Sequence, residues 1–402
     1  MEWSADCNGD GVVDFGQILD GTLLDDDGDG IPDECDPDSE GVCCLDGACV
    51  EGAPTACADG GGTWFTGFDC STLSCVAGTY SVCADGCDFT DIQSAIDHAV
   101  FGGVIEIGPG TWDVGLVASG ASIEFRSTDG YAATWLDGGD SRRIFRADDG
   151  AGATIKFVGF TFANGDADDA DGGALYVDGN TLVLEDCRFI SNRARYGGAV
   201  ACRNGSLTMT DCIVGQAGLG NVVPEDGGGI HFSDSTLLIS GTTFDANEAS
   251  QGGGLMAVRS TVTVDECTFT ANRAMTPSSN ENRAGGAIEF HSCPSMSVTA
   301  CEFVDNQAHD GGALCLQNPF DYPLPAFAID GCLFDSNLVD GKGGAIYIGS
   351  NAGTVDDCEF LNNDAGIQGS AIFITEAGEG ISTSLTYSNS LFCGSGPEPV
   401  EA

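Results

Sequence analysis

Basic side chains are scarce in this chain. Across 402 residues, 13 Lys and Arg stand against 62 Asp and Glu, for a formal net charge of -49. Lysine occurs only at Lys156 and Lys342. Such a surface repels phosphate backbones, which excludes nucleic-acid binding as a main role and disfavours anionic membranes. Long hydrophobic runs are missing as well. Nothing approaches the roughly 18 consecutive apolar residues of a membrane-spanning helix. The opening Met1-Glu2-Trp3-Ser4-Ala5-Asp6 has neither the basic start nor the apolar stretch of a signal peptide, so the chain is expected to be a fragment or a mature form. Wholesale disorder is excluded by the opposite argument: 42% of the residues are hydrophobic and 22 are Phe, enough to build a core.

What is abundant is glycine, with 60 residues, and cysteine, with 20. Glycine without a G-X-Y period points to turns or to a repeat. Ten of the cysteines precede residue 88. That density predicts a disulfide scaffold in an oxidising compartment, extracellular or at the cell surface. Cys83-x-x-x-Cys87 also has tolerable spacing for zinc ligands, but no second pair follows it. Composition divides the chain into an Asp-rich segment (1–40), a Cys-rich disulfide module (41–78), a repetitive region (79–396) and a tail (397–402).

The repeat dominates. Glycine pairs open at Gly172, Gly197, Gly227, Gly252, Gly285, Gly311 and Gly343, with Gly369-Ser370 closing the series, at steps of 25 to 33 residues. A second motif, C-x-F-x-x-N, precedes most of them, starting at Cys187, Cys267, Cys301, Cys332 and Cys358. Thr242 replaces the Cys in one unit, and at Cys212 the Phe has become Val214 and the Asn is lost. After each glycine pair apolar residues alternate, as in Leu175-Tyr176-Val177 and Ile346-Tyr347-Ile348. Two further short alternating runs follow in each unit, which predicts three strands per unit with one face inward. None is long enough to form its own sheet, so the units must stack. The expected fold is all-β, a right-handed parallel β-helix of about ten coils with a capping helix over 89–100.

Stacking turns motif positions into columns. The Cys and Phe columns should face inward, and the Asn column (Asn192, Asn247, Asn272, Asn306, Asn337, Asn363) should line a turn, where Asn tolerates left-handed backbone. The outward position between the two apolar residues reads Tyr176, Ala201, His231, Met256, Glu289, Cys315, Tyr347, Phe373. Its candidate ligand-binding residues are Tyr176, His231, Glu289, Tyr347 and Phe373, which could stack on sugar rings or meet a partner chain; the alternative is a stripe covered by a loop.

The Asp-rich segment carries cation chemistry. Asp25, Asp27, Asp29, Ile31, Asp33 and Asp36 occupy ligand positions of a D-x-D-x-D-G loop, with Gly30 at its turn and Ile31 lending a carbonyl. Carboxylates this close repel unless a cation such as Ca2+ sits among them. Asp6, Asn8, Asp10, Val12 and Asp14 form a weaker copy that ends in Gln17 rather than an acid. These loops resemble thrombospondin type-3 calcium repeats and dockerin segments. That resemblance implies a calcium-stiffened spacer, with one short helix over 15–24 and Cys7 and Cys35 in reach of a bridge.

The G-G-A-[IL] and F-x-x-N pairing over 160–396 resembles the polymorphic outer-membrane protein repeat family. The resemblance implies a β-helix acting in adhesion, with glycans or cell-surface proteins as partners. Parallel β-helices also host polysaccharide lyases and hydrolases, so fold leaves function open. The low-ranked catalytic set is a calcium loop of Asp166, Asp168, Asp169 and Asp171 with Arg195 as base, against the simpler reading of an Asp–Arg ladder. The leading expectation is a non-enzymatic, calcium-binding recognition protein. A polysaccharide lyase or hydrolase is the alternative, and a structural fibre or coat component is the third.

Overall fold

The structure, a computed structural model, describes residues 17, 41–45, 48–51, 57, 63–66, 77–99, 102–150, 152–275, 284–318, 326–349, 351–375, 383–394 and 400–401. Two compact units divide the chain: Met1–Tyr80 with Ser94–Val104, and Ser81–Gln93 with Ile105–Ala402.

In the first unit, Gly41–Leu45 is the centre of an antiparallel three-stranded sheet, flanked by Ala48–Glu51 and Thr63–Thr66. Its register sets Cys44 opposite Cys49 and Cys43 opposite Trp64. Val42, Cys43 and Cys44 are buried, and Cys43 is bonded to Cys57. The disulfide reading of this region therefore holds. It holds also for Cys83 and Cys87, which are bonded to each other, removing the zinc alternative there. The helix expected over 89–100 forms as Ile92–His98, with Ile92, Ala95 and Ile96 buried. It starts later than expected because Phe89 is drawn into a parallel bridge with Val82.

The second unit is the solenoid. Three parallel sheets of 11, 12 and 11 strands run its length, each strand hydrogen-bonded to its counterpart one coil away. Register follows the glycine pairs: Leu175, Val200, Ile230, Leu255, Ile288, Leu314, Ile346 and Ile372 form one continuous inward column. The fold is the expected right-handed β-helix of about ten turns. A single strand of four or five residues buries too little to stand alone, and stacking supplies both its hydrogen bonds and its core.

The columns have defined roles. Rings of Phe162 and Phe189 stack at 4.7 Å, and Phe244, Phe269, Phe303, Phe334, Phe360 and Phe392 continue at 4.5 to 5.1 Å after the break at Val214. The Asn column is a buried amide ladder. Asn247 donates from its backbone N–H and from Nδ2 to Asn272 Oδ1, at 3.1 and 3.0 Å, while Asn272 Nδ2 also donates to Phe244 O at 2.9 Å. The same pattern links Asn192, Asn221, Asn247, Asn272, Asn306, Asn337 and Asn363. Asn221 repairs the gap at the Cys212 unit, arriving late because that unit carries a longer turn. The left-handed residue is not the Asn, as the sequence suggested, but its predecessor: Ser191, Ala246, Ala271, Asp305, Ser336 and Asn362 have φ of 53° to 57°. The Asn itself is reserved for the ladder.

The first glycine of each pair except Gly285 also has positive φ, 58° at Gly252, and a Cβ there would stand 2.5 Å from Leu255 O and 3.0 Å from Met256 Cα. The chain thus doubles back onto the strand it opens. The second glycine lies against the next coil: a Cβ on Gly253 would be 2.5 Å from Gly286 O and 2.6 Å from Arg273 N. A fourth ladder, which strand periodicity missed, follows the Asn: Glu248–Ala249, Arg273–Ala274, Gln307–Ala308, Leu338–Val339 and Asp364–Ala365 pair in parallel. Its signal was the small or branched residue two places after each Asn, starting with Ala194.

Candidate functional site

The strand that follows each glycine pair turns one row of side chains away from the core, and this row carries the expected ligand contacts. The structure corrects their expected exposure. His231, Met256, Glu289, Cys315, Tyr347 and Phe373 are buried, Glu289 and Tyr347 at 0% exposure. The cause is packing between neighbours of the same row, which closes one side chain over the next. Tyr347 packs with Cys315 and Phe373, and Lys342 Nζ lies 4.3 Å from the centre of the Phe373 ring. Only Tyr176, among the five candidates, stays half-exposed.

Around Tyr176 the surface is ionic and aromatic. Arg143 lies over its ring at 5.1 Å and donates from Nη2 to Asp171 O at 2.6 Å and from Nε to Gly172 O at 3.0 Å. Asp171 pairs with Arg203. Burial pushes the Asp171 carboxyl up, against the pull of Arg203, Arg143 and Arg195. Burial likewise lowers the basicity of Arg143, with Arg146 adding to the effect. One coil on, Arg195 lies over the Tyr196 ring at 5.1 Å, and Tyr196 tilts against His231 at 5.2 Å. Sequence reasoning missed Tyr196 and Arg203, because neither sits at the middle outward position. Tyr196 directly precedes a glycine pair and Arg203 ends a strand.

Farther along the face two carboxyls are lifted by burial. Glu289 accepts from Gly285 N–H at 3.3 Å and from Gln317 Nε2 at 3.1 Å. Burial raises its pKa well above the ordinary carboxylate value, and the charge of Asp226 adds to this. Asp226 is pushed up to about 6, by burial first and by Glu225 second. His231 is driven down to about 4 by burial and by the guanidiniums of Arg203 and Arg259, so it is neutral at pH 7.

The candidate calcium loop of Asp166, Asp168, Asp169 and Asp171 is not gathered as a metal cage. Asp166 pairs with Arg193 and Asp171 with Arg203, while Asp168 and Asp169 are exposed. Among the described residues, no group of three or more His, Cys, Asp or Glu is arranged to hold a metal ion. The simpler expectation, an Asp–Arg ladder, is what forms. Arg195 is exposed and lies over the Tyr196 ring. The N-terminal set (Asp6, Asn8, Asp10, Val12, Asp14, Asp25, Asp27, Asp29, Ile31, Asp33 and Asp36) lies outside the described residues. No helix among the described residues is long and apolar enough to cross a membrane.

A family model described as right handed beta helix region matches residues 151–395. Among solved structures, the A-module of a mannuronan C-5 epimerase from Azotobacter vinelandii aligns over 75% of this chain and 93% of its own, with 12% identity and a TM-score of 0.27. Comparison with curated proteins finds no match.

Proposed function

The chain belongs to the right-handed β-helix family, and from that premise we propose that it is a secreted or cell-surface recognition protein that binds glycans through the band from Tyr176 to Tyr196. One observation carries this reading. The outward row is otherwise covered, while Tyr176, Tyr196, Arg143, Arg195, Arg203 and Asp171 stay at least partly open together. Tyrosine rings stack on sugar faces, and paired guanidinium and carboxylate groups bind hydroxyls. Parallel ladders on either side hold these side chains in place, which favours a rigid recognition surface. Calcium held by the Asp6–Asp14 and Asp25–Asp36 loops belongs to the same proposal and rests on donor chemistry and spacing alone. Calorimetry should register heat at millimolar calcium for the full chain; silence there rejects the loops. For the glycan site, a Tyr176→Ala, Tyr196→Ala variant should lose at least tenfold in affinity on a glycan array. Binding unchanged by both substitutions sinks the reading.

A polysaccharide lyase or hydrolase is favoured by one separate observation, the burial-raised carboxyls of Asp226 and Glu289. A general acid needs that property at neutral pH. Glu289 is fully enclosed, so the acid in this reading is Asp226. Incubation with a polysaccharide panel, followed by unsaturated-product absorbance and reducing ends, decides between the two. Turnover that disappears in Asp226→Asn selects the enzyme.

A further inference from the structure

Two nitrogens in the second to fourth glycine-pair coils are buried without a hydrogen-bond partner: Arg203 Nε and His231 Nδ1. They face the same way on neighbouring strands. Ala201 pairs with His231 and Arg203 with Ser233, so Arg203 and His231 are diagonal neighbours on one surface of the sheet. A buried N–H left unbonded forfeits its hydration, and such groups in native proteins generally have a water, ion or ligand to meet.

The local acceptors are already engaged. Asp171 is held by Arg203 through Nη2 and by the charge of Arg143. Asp178 accepts from Tyr176 Oη at 3.3 Å and Asn204 Nδ2 at 2.8 Å. Asp234 accepts from Arg259 Nε at 2.7 Å. Arg203 therefore keeps one unsatisfied edge, and His231 in its neutral form can present a second N–H beside it. The setting is unusual for this chain. Eight of its eleven arginines fall between Arg126 and Arg203. Four of these, Arg143, Arg146, Arg195 and Arg203, lie beside Tyr176 or act on Asp171.

We propose that Arg203 Nε and His231 Nδ1 together receive one carboxylate, the uronate group of an acidic glycan. Two adjacent N–H donors match the two oxygens of a carboxylate. Both nitrogens are closed to solvent beneath side chains, and the half-exposed Tyr196 ring, tilted 52° to His231, is the cover that turns aside. The inference rests on the glycan reading above and specifies its ligand.

The test uses the full chain, with a galacturonate trimer and a neutral galactose trimer as probes. Binding is followed by calorimetry and by the imidazole nitrogen resonances of His231. The galacturonate trimer should bind at least tenfold tighter than the neutral one and should raise the His231 titration from about 4 by a unit or more. Arg203→Gln should erase the preference, bringing the galacturonate trimer down to the affinity of the neutral one; His231→Gln, which keeps an N–H donor, should retain part of it. Equal binding of both trimers with an unmoved His231 overturns the carboxylate site and leaves glycan recognition standing. If neither trimer binds while free galacturonate still shifts His231, the carboxylate site stands and glycan recognition falls. No binding and no shift with any probe removes both, and the two nitrogens are then simply hydrated.

Discussion

Cysteine does opposite work in the small Gly41–Thr66 sheet and in the repeat coils from Cys187 onward. In the Gly41–Thr66 sheet it is a cross-link, as Cys43 to Cys57. In the solenoid it is a thiol: from Cys187 to Cys393 all ten are free, and nine of them are buried. A three-stranded sheet of short strands buries little apolar surface and gains from covalent closure. The solenoid gains nothing comparable, because every coil is already fastened to two neighbours. There the thiol behaves as a hydroxyl would. Cys301 N–H donates to Cys332 Sγ at 3.4 Å, and Cys301 Sγ donates to Thr299 O at 3.1 Å. Thr242 and Ser390 occupy the same column with the same contacts, at 3.3 Å from the N–H of Cys212 and Cys358. Elsewhere in the solenoid burial makes two further thiols poor acids: it pushes Cys202 up to about 12 and Cys293 to about 11. A cysteine count therefore says nothing of redox chemistry until the residues are divided by what surrounds them.

The sharpest way to break this contrast is to cut a ladder. Asn272→Ala removes the acceptor of Asn247 and the donor to Phe244 O and Asn306, and should cost about 3–5 kcal/mol in urea unfolding of the solenoid. A loss under about 1 kcal/mol would make the amide ladder dispensable. Next in size is the cross-link. Cys43→Ala with Cys57→Ala opens a loop with a sequence separation of 14 and should destabilise the small sheet by about 3 kcal/mol. The solenoid transition should not move, and a matching shift in it would show that the two units do not differ in this respect.

A third experiment asks whether the buried acids act as the geometry implies. Asp226 is harder to ionise folded than unfolded, so its contribution is complete below the ordinary carboxylate range. It is lost as pH rises from about 4 through about 6, by about 2–3 kcal/mol. Asp226→Asn should flatten that part of the stability curve; an identical slope in the variant contradicts the burial argument. The smallest effect is expected for Cys301→Ser, about 1 kcal/mol or less, since a hydroxyl can make both contacts. Loss of folding in that variant would mean that sulfur matters for more than its hydrogen bonds.

Much of the solenoid could be read directly from residues. The glycine pairs, the Phe and Cys columns and the strand alternation recur at positions that side-chain periodicity dictates. Asn221 escaped because its unit lengthens the turn, so the motif spacing fails while the stacking position survives. The covered outward row escaped for another reason. Whether Tyr347 or Tyr176 meets solvent depends on what packs over the strand, as Cys315 and Phe373 do at Tyr347, and alternation reports only which side of the sheet a residue takes. Arg203 and His231 were separated by 28 positions in sequence and became neighbours through register alone.

The amide ladder has a consequence for how such a protein can change over time. Consecutive rungs are 25 residues apart from Asn247 to Asn272 and 34 apart from Asn272 to Asn306, yet both links have nearly the same length, 3.0 and 3.1 Å. Lineages can thus add or delete residues between rungs freely, while a shift of one position at a rung is penalised at once. Evolution of this chain is expected to be discontinuous in its scaffold, by duplication or loss of whole coils, and gradual in its turns. A foreign peptide grafted between Asn272 and Gly285 should be tolerated where one grafted between Cys267 and Asn272 is not.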